Sequence, residues 1–313
     1  MIFIYGRAED SPITRVLDAL NQADAEYFFL DAAALDKATL QIRIDRHGVH
    51  GELTVEQRCL QLDDVSAVYT RPLLVADPTS DAQLTQHKQA LHQQLVDWFD
   101  IAPCLVVNRP AAMQANSSKP FQAQLIGEAG FLVPATLITS DPAEVRAFRQ
   151  QHGNVVFKSI SGVRSIVTVL DDTWLSRMHR LSQLPTQFQA QVPGVDVRVH
   201  VVGEETYAAE ICSAATDYRY AHHVGDAAEL RAIELPKAIA KRCVAMSKAM
   251  NLPLSGIDLR RRADGHYVCF EVNPMPAYSY FEAETGLPIA QALTRLLLNA
   301  QHTNKEAKYG AGY

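Results

Sequence analysis

Glu271-Val272-Asn273-Pro274 sets two oxygen-bearing side chains two residues apart. On a strand that spacing turns both to one face. Asp258 lies in a second apolar run, Gly256-Ile257-Asp258-Leu259, and the turn Ala263-Asp264-Gly265 separates the two runs. The pattern predicts antiparallel strands over 255–261 and 266–272. Side chains on paired strands are neighbours, so Asp258 would meet Glu271 and Asn273. All three offer hard oxygens. Magnesium takes one or two carboxylates and completes its shell with phosphate oxygens, and manganese accepts the same set. Either acid alone reads as well as a solvated strand-end group; the trio favours a metal site.

Two lysines have settings that suit phosphate. Lys158 ends the apolar run Val155-Val156-Phe157 and enters Ser159-Ile160-Ser161-Gly162. Backbone N–H groups of a small-residue loop can cradle the oxygens that such a lysine attracts. Lys119 stands in Ser117-Ser118-Lys119-Pro120, at the start of an expected helix. The helix dipole disfavours a cation there, which hints at an anionic partner. A solvated surface lysine is the plainer reading of Lys119 by itself.

Gln189-Ala190-Gln191-Val192 runs into Pro193-Gly194, and a new strand begins with Asp196 and Arg198 on one face. Backbone at 190–192 is suited to the edge of a purine base, and Arg198 to a transferring phosphoryl group. The alternative is an ordinary hairpin with a surface ion pair. Asp217-Tyr218-Arg219 supplies a second acid–arginine pair that could meet a substrate carboxylate. His222 and His223 are adjacent, point apart and read as loop residues.

Positioning these groups takes several lobes. The 313 residues suffice for two or three, with a sizeable core. Residues 1–108 alternate strands (2–5, 27–30, 65–70, 105–107) with helices (from Ser11-Pro12, and 81–99) and carry a hairpin near 41–53, as an open α/β domain does. They lack the glycine fingerprint of a dinucleotide site. Residues 109–187 and 188–300 read as two further lobes, the second rich in strands and closed by a helix over 286–299. Residues 301–313 read as a polar, frayed tail. The net charge of −6 argues against a nucleic-acid face. No apolar run reaches the roughly 20 residues of a membrane helix. The five cysteines are scattered without metal or redox spacing, which fits a reducing compartment, and the cytoplasm is expected.

In this order the pieces resemble the ATP-grasp fold from about residue 108 to 300, an α/β protein with a two-lobed nucleotide-binding unit behind an N-terminal α/β domain. Within it the chain is most similar to RimK-like ligases. The segments Lys119-Pro120-Phe121-Gln122, Gly130 to Ser140 and Val68-Tyr69-Thr70-Arg71-Pro72 are similar to the ligases that crosslink ribosomal peptides. The resemblance implies ATP and magnesium as cofactors. It implies Lys119, Lys158, Ser161, Gly162, Gln189, Ala190, Val192 and Asp196 at the nucleotide, with Ser161-Gly162 as a lid. Arg198 and Lys158 would act in catalysis, Asp217 and Arg219 at the substrate, and Asp258, Glu271 and Asn273 at the metal. The implied reaction activates a carboxylate as an acyl phosphate, releases ADP and joins the acyl group to an amine or hydroxyl. A carboxylate-bearing small molecule or a precursor peptide is the implied partner, and a homo-oligomer the implied assembly. A ligase for amino acids or a protein tail, and a non-catalytic nucleotide-binding regulator, remain as alternatives.

Overall fold

The opening apolar run becomes the buried centre of a parallel sheet. In the computed structural model, which describes residues 1–46, 48–73, 81–159, 167–178, 185–212 and 229–310, β1 (Ile2–Gly6) leads to α1 (Ser11–Gln22) and β2 (Tyr27–Asp31). An antiparallel meander follows: β3 (Ala38–Asp45), β4 (Gly48–Val55) and β5 (Arg58–Gln61). Then come β6 (Ala67–Thr70), α2 (Ala82–Ile101) and β7 (Leu105–Val107). The sheet order is β2-β1-β6-β7, all parallel. Such a sheet is covered on both faces, so every residue of β1 can be apolar. Phe3 and Tyr5 pack with Trp98 and Phe99 of α2, while Ile2 and Ile4 pack with Ile13 and Val16 of α1.

A second unit holds α3 (Pro110–Met113), α4 (Lys119–Glu128), β8 (Thr136–Thr139), α5 (Pro142–His152), β9 (Val155–Ser159), β10 (Thr168–Val169), α6 (Asp172–Ser176) and β11 (Thr186–Ala190). Its antiparallel sheet runs β10-β9-β11-β8. Asp141 caps α5 by accepting from Ala143 N, with Pro142 in the first turn, as Ser140-Asp141-Pro142 suggests. The third unit holds β12 (Val195–Val202), β13 (Glu205–Cys212), β14 (Glu229–Ile233), α7 (Lys237–Ala249), β15 (Leu254–Arg261), β16 (Tyr267–Asn273), α8 (Tyr278–Thr285) and α9 (Ile289–Gly310). Its sheet order is β14-β13-β12-β15-β16. Val197, Val199, Ile257 and Leu259 bury one face against Cys243 and Met246 of α7. Period-two alternation then leaves Asp196, Arg198, His200 and Asp258 on the other.

Several expectations change in detail. The 41–53 hairpin is longer and gains β5 as a third strand. The helices α6 and α8 appear where no helix is expected. The last helix runs from Ile289 through Gly310, longer than the expected 286–299, so residues 302–310 of the polar tail continue it. Lys305, Glu306, Ala307 and Lys308 are good helix formers, which the polar composition concealed. Leu293 and Leu297 of α9 share a core with Ile2, Ile13 and Val16. The chain's first and last segments therefore stabilise each other.

Candidate active site

A cleft separates the sheet of the second unit from the sheet of the third. Its walls include Val156, Lys158, Gln189, Ala190, Gln191, Val192, Asp196, Asp258, Arg260, Phe270 and Glu271. A second cavity, toward α4, adds Lys119, Gln122, Thr136 and Gln187 and shares Lys158, Gln189, Phe270 and Glu271 with the first.

The charged residues meet through strand register. Arg198 on β12 lies opposite Asp258 on β15, which lies opposite Glu271 on β16. Arg198 Nη1 donates to Asp258 Oδ1 at 2.7 Å. Lys119 Nζ lies 3.6 Å from Glu271 Oε1. A row of alternating charge results: Arg198, Asp258, Glu271, Lys119. The lysine is set there by Gln122, one turn along α4. The buried amide of Gln122 acts as a strand neighbour for the edge of β16, donating to Val272 O at 2.8 Å and accepting from Val272 N at 3.0 Å. Leu132 adds a bond on the same edge, its carbonyl accepting from Cys269 N at 2.8 Å.

Asp196 and Arg198 do not pair with each other. Each bonds across to β15: Asp196 takes a bidentate contact from Arg260 at 2.7 and 2.8 Å. Arg260 also donates to Val192 O at 2.9 Å, which ties the segment after β11 to the third sheet. Ala190 N and Gln191 N donate to Ala135 O and Asn154 O. Gly194 turns this link at φ +148°, where a Cβ would stand 2.3 Å from Arg261 O, so only glycine fits. On β16 the register shifts so that Asp258 faces Glu271 but Leu259 faces Cys269. Phe270 is the extra residue of this bulge and is thereby turned into the cleft wall, 5.4 Å below the Arg260 guanidinium.

Asn273 shares a face with Glu271 and lies opposite Gly256, beyond the residues that line the two cavities. Ser161 and Gly162, Asp217 and Arg219, and His222 and His223 lie outside the described residues. Gln187 faces Lys158 in register, is buried, and its Oε1 has no partner among the described residues. Together with Arg260, Phe270 and Gly256 it escapes sequence reading; only the glutamines' alternation along β11 hinted at it.

The N-terminal unit braces the site from below. Arg71, at the end of β6, is buried, pairs with Asp10 and donates to Pro276 O at 3.0 Å. Asn108 donates to Leu254 O at 2.6 Å and also to Pro274 O, and accepts from Leu254 N. Both hold the loop that follows the Glu-Val-Asn run. His200 lies beneath Arg198. Burial, and then the Arg198 charge, push it well below the usual histidine range, so the ring is neutral.

Residues 116–297 match the RimK-like ATP-grasp domain family. A probable alpha-L-glutamate ligase of Pseudoalteromonas translucida is 27% identical over 68% of this chain and 74% of its own length. Among solved structures, the ATP-grasp ligase PsnB, complexed with a phosphomimetic variant of its minimal precursor, Mg and ADP, is 25% identical. It superposes with a TM-score of 0.80 over 96% of this chain and 98% of its own. The macrocyclase MdnC of Microcystis aeruginosa, bound with precursor peptide MdnA, superposes with a TM-score of 0.79 at 21% identity, over 96% of this chain and 100% of its own. With the family match covering more than half of its residues, this chain belongs to the RimK-like ATP-grasp ligases.

Proposed function

We propose that this ligase binds ATP in the cleft between its two antiparallel sheets, phosphorylates a carboxylate and passes the acyl group to an amine or hydroxyl, releasing ADP and phosphate. The row Arg198, Asp258, Glu271, Lys119 carries the reading. It sets two cations and two carboxylates side by side, and its carboxylates line a cleft whose walls also hold Val156, Val192 and Phe270. Phosphoryl transfer needs positioned charge more than covalent help. Val156, Val192 and Phe270 supply apolar walls for the base. The Val192 N–H, unbonded among the described residues, is the donor we assign to its edge. Lys158 and Lys119 draw in the phosphates, with Gln189 and Asp196 placed toward the ribose. Arg198 offsets charge on the group in transfer.

The residues fit a magnesium ion. Among the described residues no three of His, Cys, Asp and Glu converge, and Asp258 with Glu271 forms a two-carboxylate set that phosphate oxygens would complete. Asp258, Glu271 and the Asn273 amide would hold the metal, which would neutralise phosphate charge during transfer. In the structure each carboxylate is balanced by Arg198 or Lys119, so nucleotide phosphates and metal would take over both partners together.

For the substrate we propose a peptide carboxylate. The likeness to PsnB over 96% of the chain, N-terminal unit included, supports this reading, because PsnB is complexed with a variant of its minimal precursor. The glutamate-ligase names of the sequence relatives favour the second reading, an amino acid joined to a protein or peptide tail. Incubation with ATP, magnesium and candidate precursor peptides distinguishes them by mass spectrometry. A peptide crosslinked within itself loses one water per bond. Addition of glutamate raises its mass instead. ADP release with neither product contradicts both.

A further inference from the structure

The ladder between β15 and β16 ends on the pair Gly256–Asn273, so Asn273 stands on its final rung. Pro274 and Pro276 follow, and neither has an N–H with which to extend the pairing or close a turn. The missing bonds come from two side chains outside the sheet, Asn108 and Arg71, and both are buried. Asn108 Nδ2 donates to Pro274 O and, at 2.6 Å, to Leu254 O, while its Oδ1 accepts from Leu254 N at 3.1 Å. One amide thus clips the start of β15 to the exit of β16, just past the last rung. Arg71 Nη1 donates to Pro276 O at 3.0 Å, two residues further on. The arginine is itself anchored: its backbone N–H donates to Tyr5 O at 2.9 Å, and Asp10 pairs with its guanidinium. Asp10 is the N-cap residue of α1, yet its side chain makes no capping bond. An aspartate in that place ordinarily accepts from the free N–H groups of the helix. Here the carboxylate gives up that local bond to hold an arginine that reaches another unit.

We propose that Asn108 and Arg71 are positioning residues for Asn273: by holding the carbonyls of Pro274 and Pro276 they set the direction of the Asn273 amide, so that the N-terminal part of the chain tunes magnesium affinity without touching the ion. Groups that orient a metal ligand act on affinity from outside the coordination shell. Asp258 and Glu271 face each other inside the ladder, whereas Asn273 closes it, so Asn273 is the ligand that outside support serves most. The inference rests on the reading of Asp258, Glu271 and Asn273 as the magnesium ligands.

Calorimetric titration of ADP at graded magnesium concentrations gives the magnesium requirement of each protein. The wild type is compared with Glu271→Ala, Asn273→Ala, Arg71→Met, Asn108→Ala and the double variant Arg71→Met/Asn273→Ala. Arg71→Met keeps the length of the side chain and removes its donors. It is expected to raise the magnesium concentration for half-maximal binding by about tenfold, with ADP affinity at saturating magnesium unchanged. Asn108→Ala and Asn273→Ala are expected to shift it in the same direction. In the double variant the two changes should not add, because Arg71 has no ligand left to aim. An unaltered requirement in Arg71→Met, or an additive effect in the double variant, would overturn the proposal and reduce Arg71 to a structural strut. A requirement altered by Glu271→Ala but not by Asn273→Ala would overturn it too and leave the two-carboxylate site standing. No change in either ligand variant would remove the magnesium reading itself, and the proposal with it. If Asn108→Ala does not fold, Arg71→Met, which leaves the Asn108 clip in place, decides the matter with its double variant.

Discussion

Gly256 shows how one missing atom shapes the site. A Cβ there would stand 2.0 Å from Arg198 Nη2 and 2.7 Å from Pro276 Cβ. The nearest atoms are the far end of a long side chain, which can shift, so Gly256→Ala is expected to cost about 1–3 kcal/mol of stability, as modest overpacking does. Turnover should fall far more, by at least about tenfold, because the displaced guanidinium loses its bond to Asp258. Thermal melting measured beside ATP turnover separates the two effects; a parallel loss of both would mean Arg198 had not been the casualty. Residue type and spacing grouped Asp258 with Glu271, and the strand register sets them side by side; Lys119 by itself read as a surface lysine, and its place beside Glu271 depends on the packing of α4 against β16. The partners were less legible. Asp196 and Arg198 are near neighbours in sequence, yet each bonds across a strand, to Arg260 and Asp258. Phe270 enters the cleft through a bulge, which is a property of two strands at once and leaves no mark on either.

Among the elements, the coupling of α4 to β16 matters most. Gln122 stands in for a missing strand by satisfying both backbone groups of Val272. Gln122→Leu keeps the volume and strands a buried N–H and a buried C=O. It is expected to destabilise the chain by about 2–4 kcal/mol, measured by urea unfolding, and to loosen Lys119 from Glu271. A loss below about 0.5 kcal/mol would mean that water or another donor replaces the amide. Most strands and long helices could be read from periodicity, because β1, β12, β15 and β16 are continuous or alternating apolar runs. α8 could not. Tyr278 and Phe281 bury one side of it, but aromatic residues sit on its open side too, with Tyr280 40% exposed, so no apolar stripe marks it.

Across the whole molecule, burial of neutral histidines makes acid a stress. His200 is held well below its ordinary 6.5 by burial and then by Arg198, and His92 is lowered by burial. A lowered folded-state value means that the unfolded chain binds the proton first as pH falls. The stability His200 contributes is thus complete above about pH 6.5 and lost below it, by up to about 1.4 kcal/mol per pH unit. His50 is raised by Asp63 and acts in the opposite sense, but it is solvent-exposed. Unfolding of the wild type and His200→Gln at pH 7.5 and 5.5 isolates the His200 share, and the wild type is expected to lose more on acidification; equal losses would show that the ring is not buried neutral. At the centre of the molecule's chemistry, the row Arg198, Asp258, Glu271, Lys119 beside Lys158 is proposed as a magnesium–nucleotide site. Titration calorimetry of ADP with and without magnesium, on the wild type, Lys158→Ala and Glu271→Ala, tests it most directly. Saturable binding that needs magnesium, falls in Lys158→Ala and loses its metal dependence in Glu271→Ala is the predicted result. Binding indifferent to magnesium and to both substitutions, in proteins that remain folded, would contradict it.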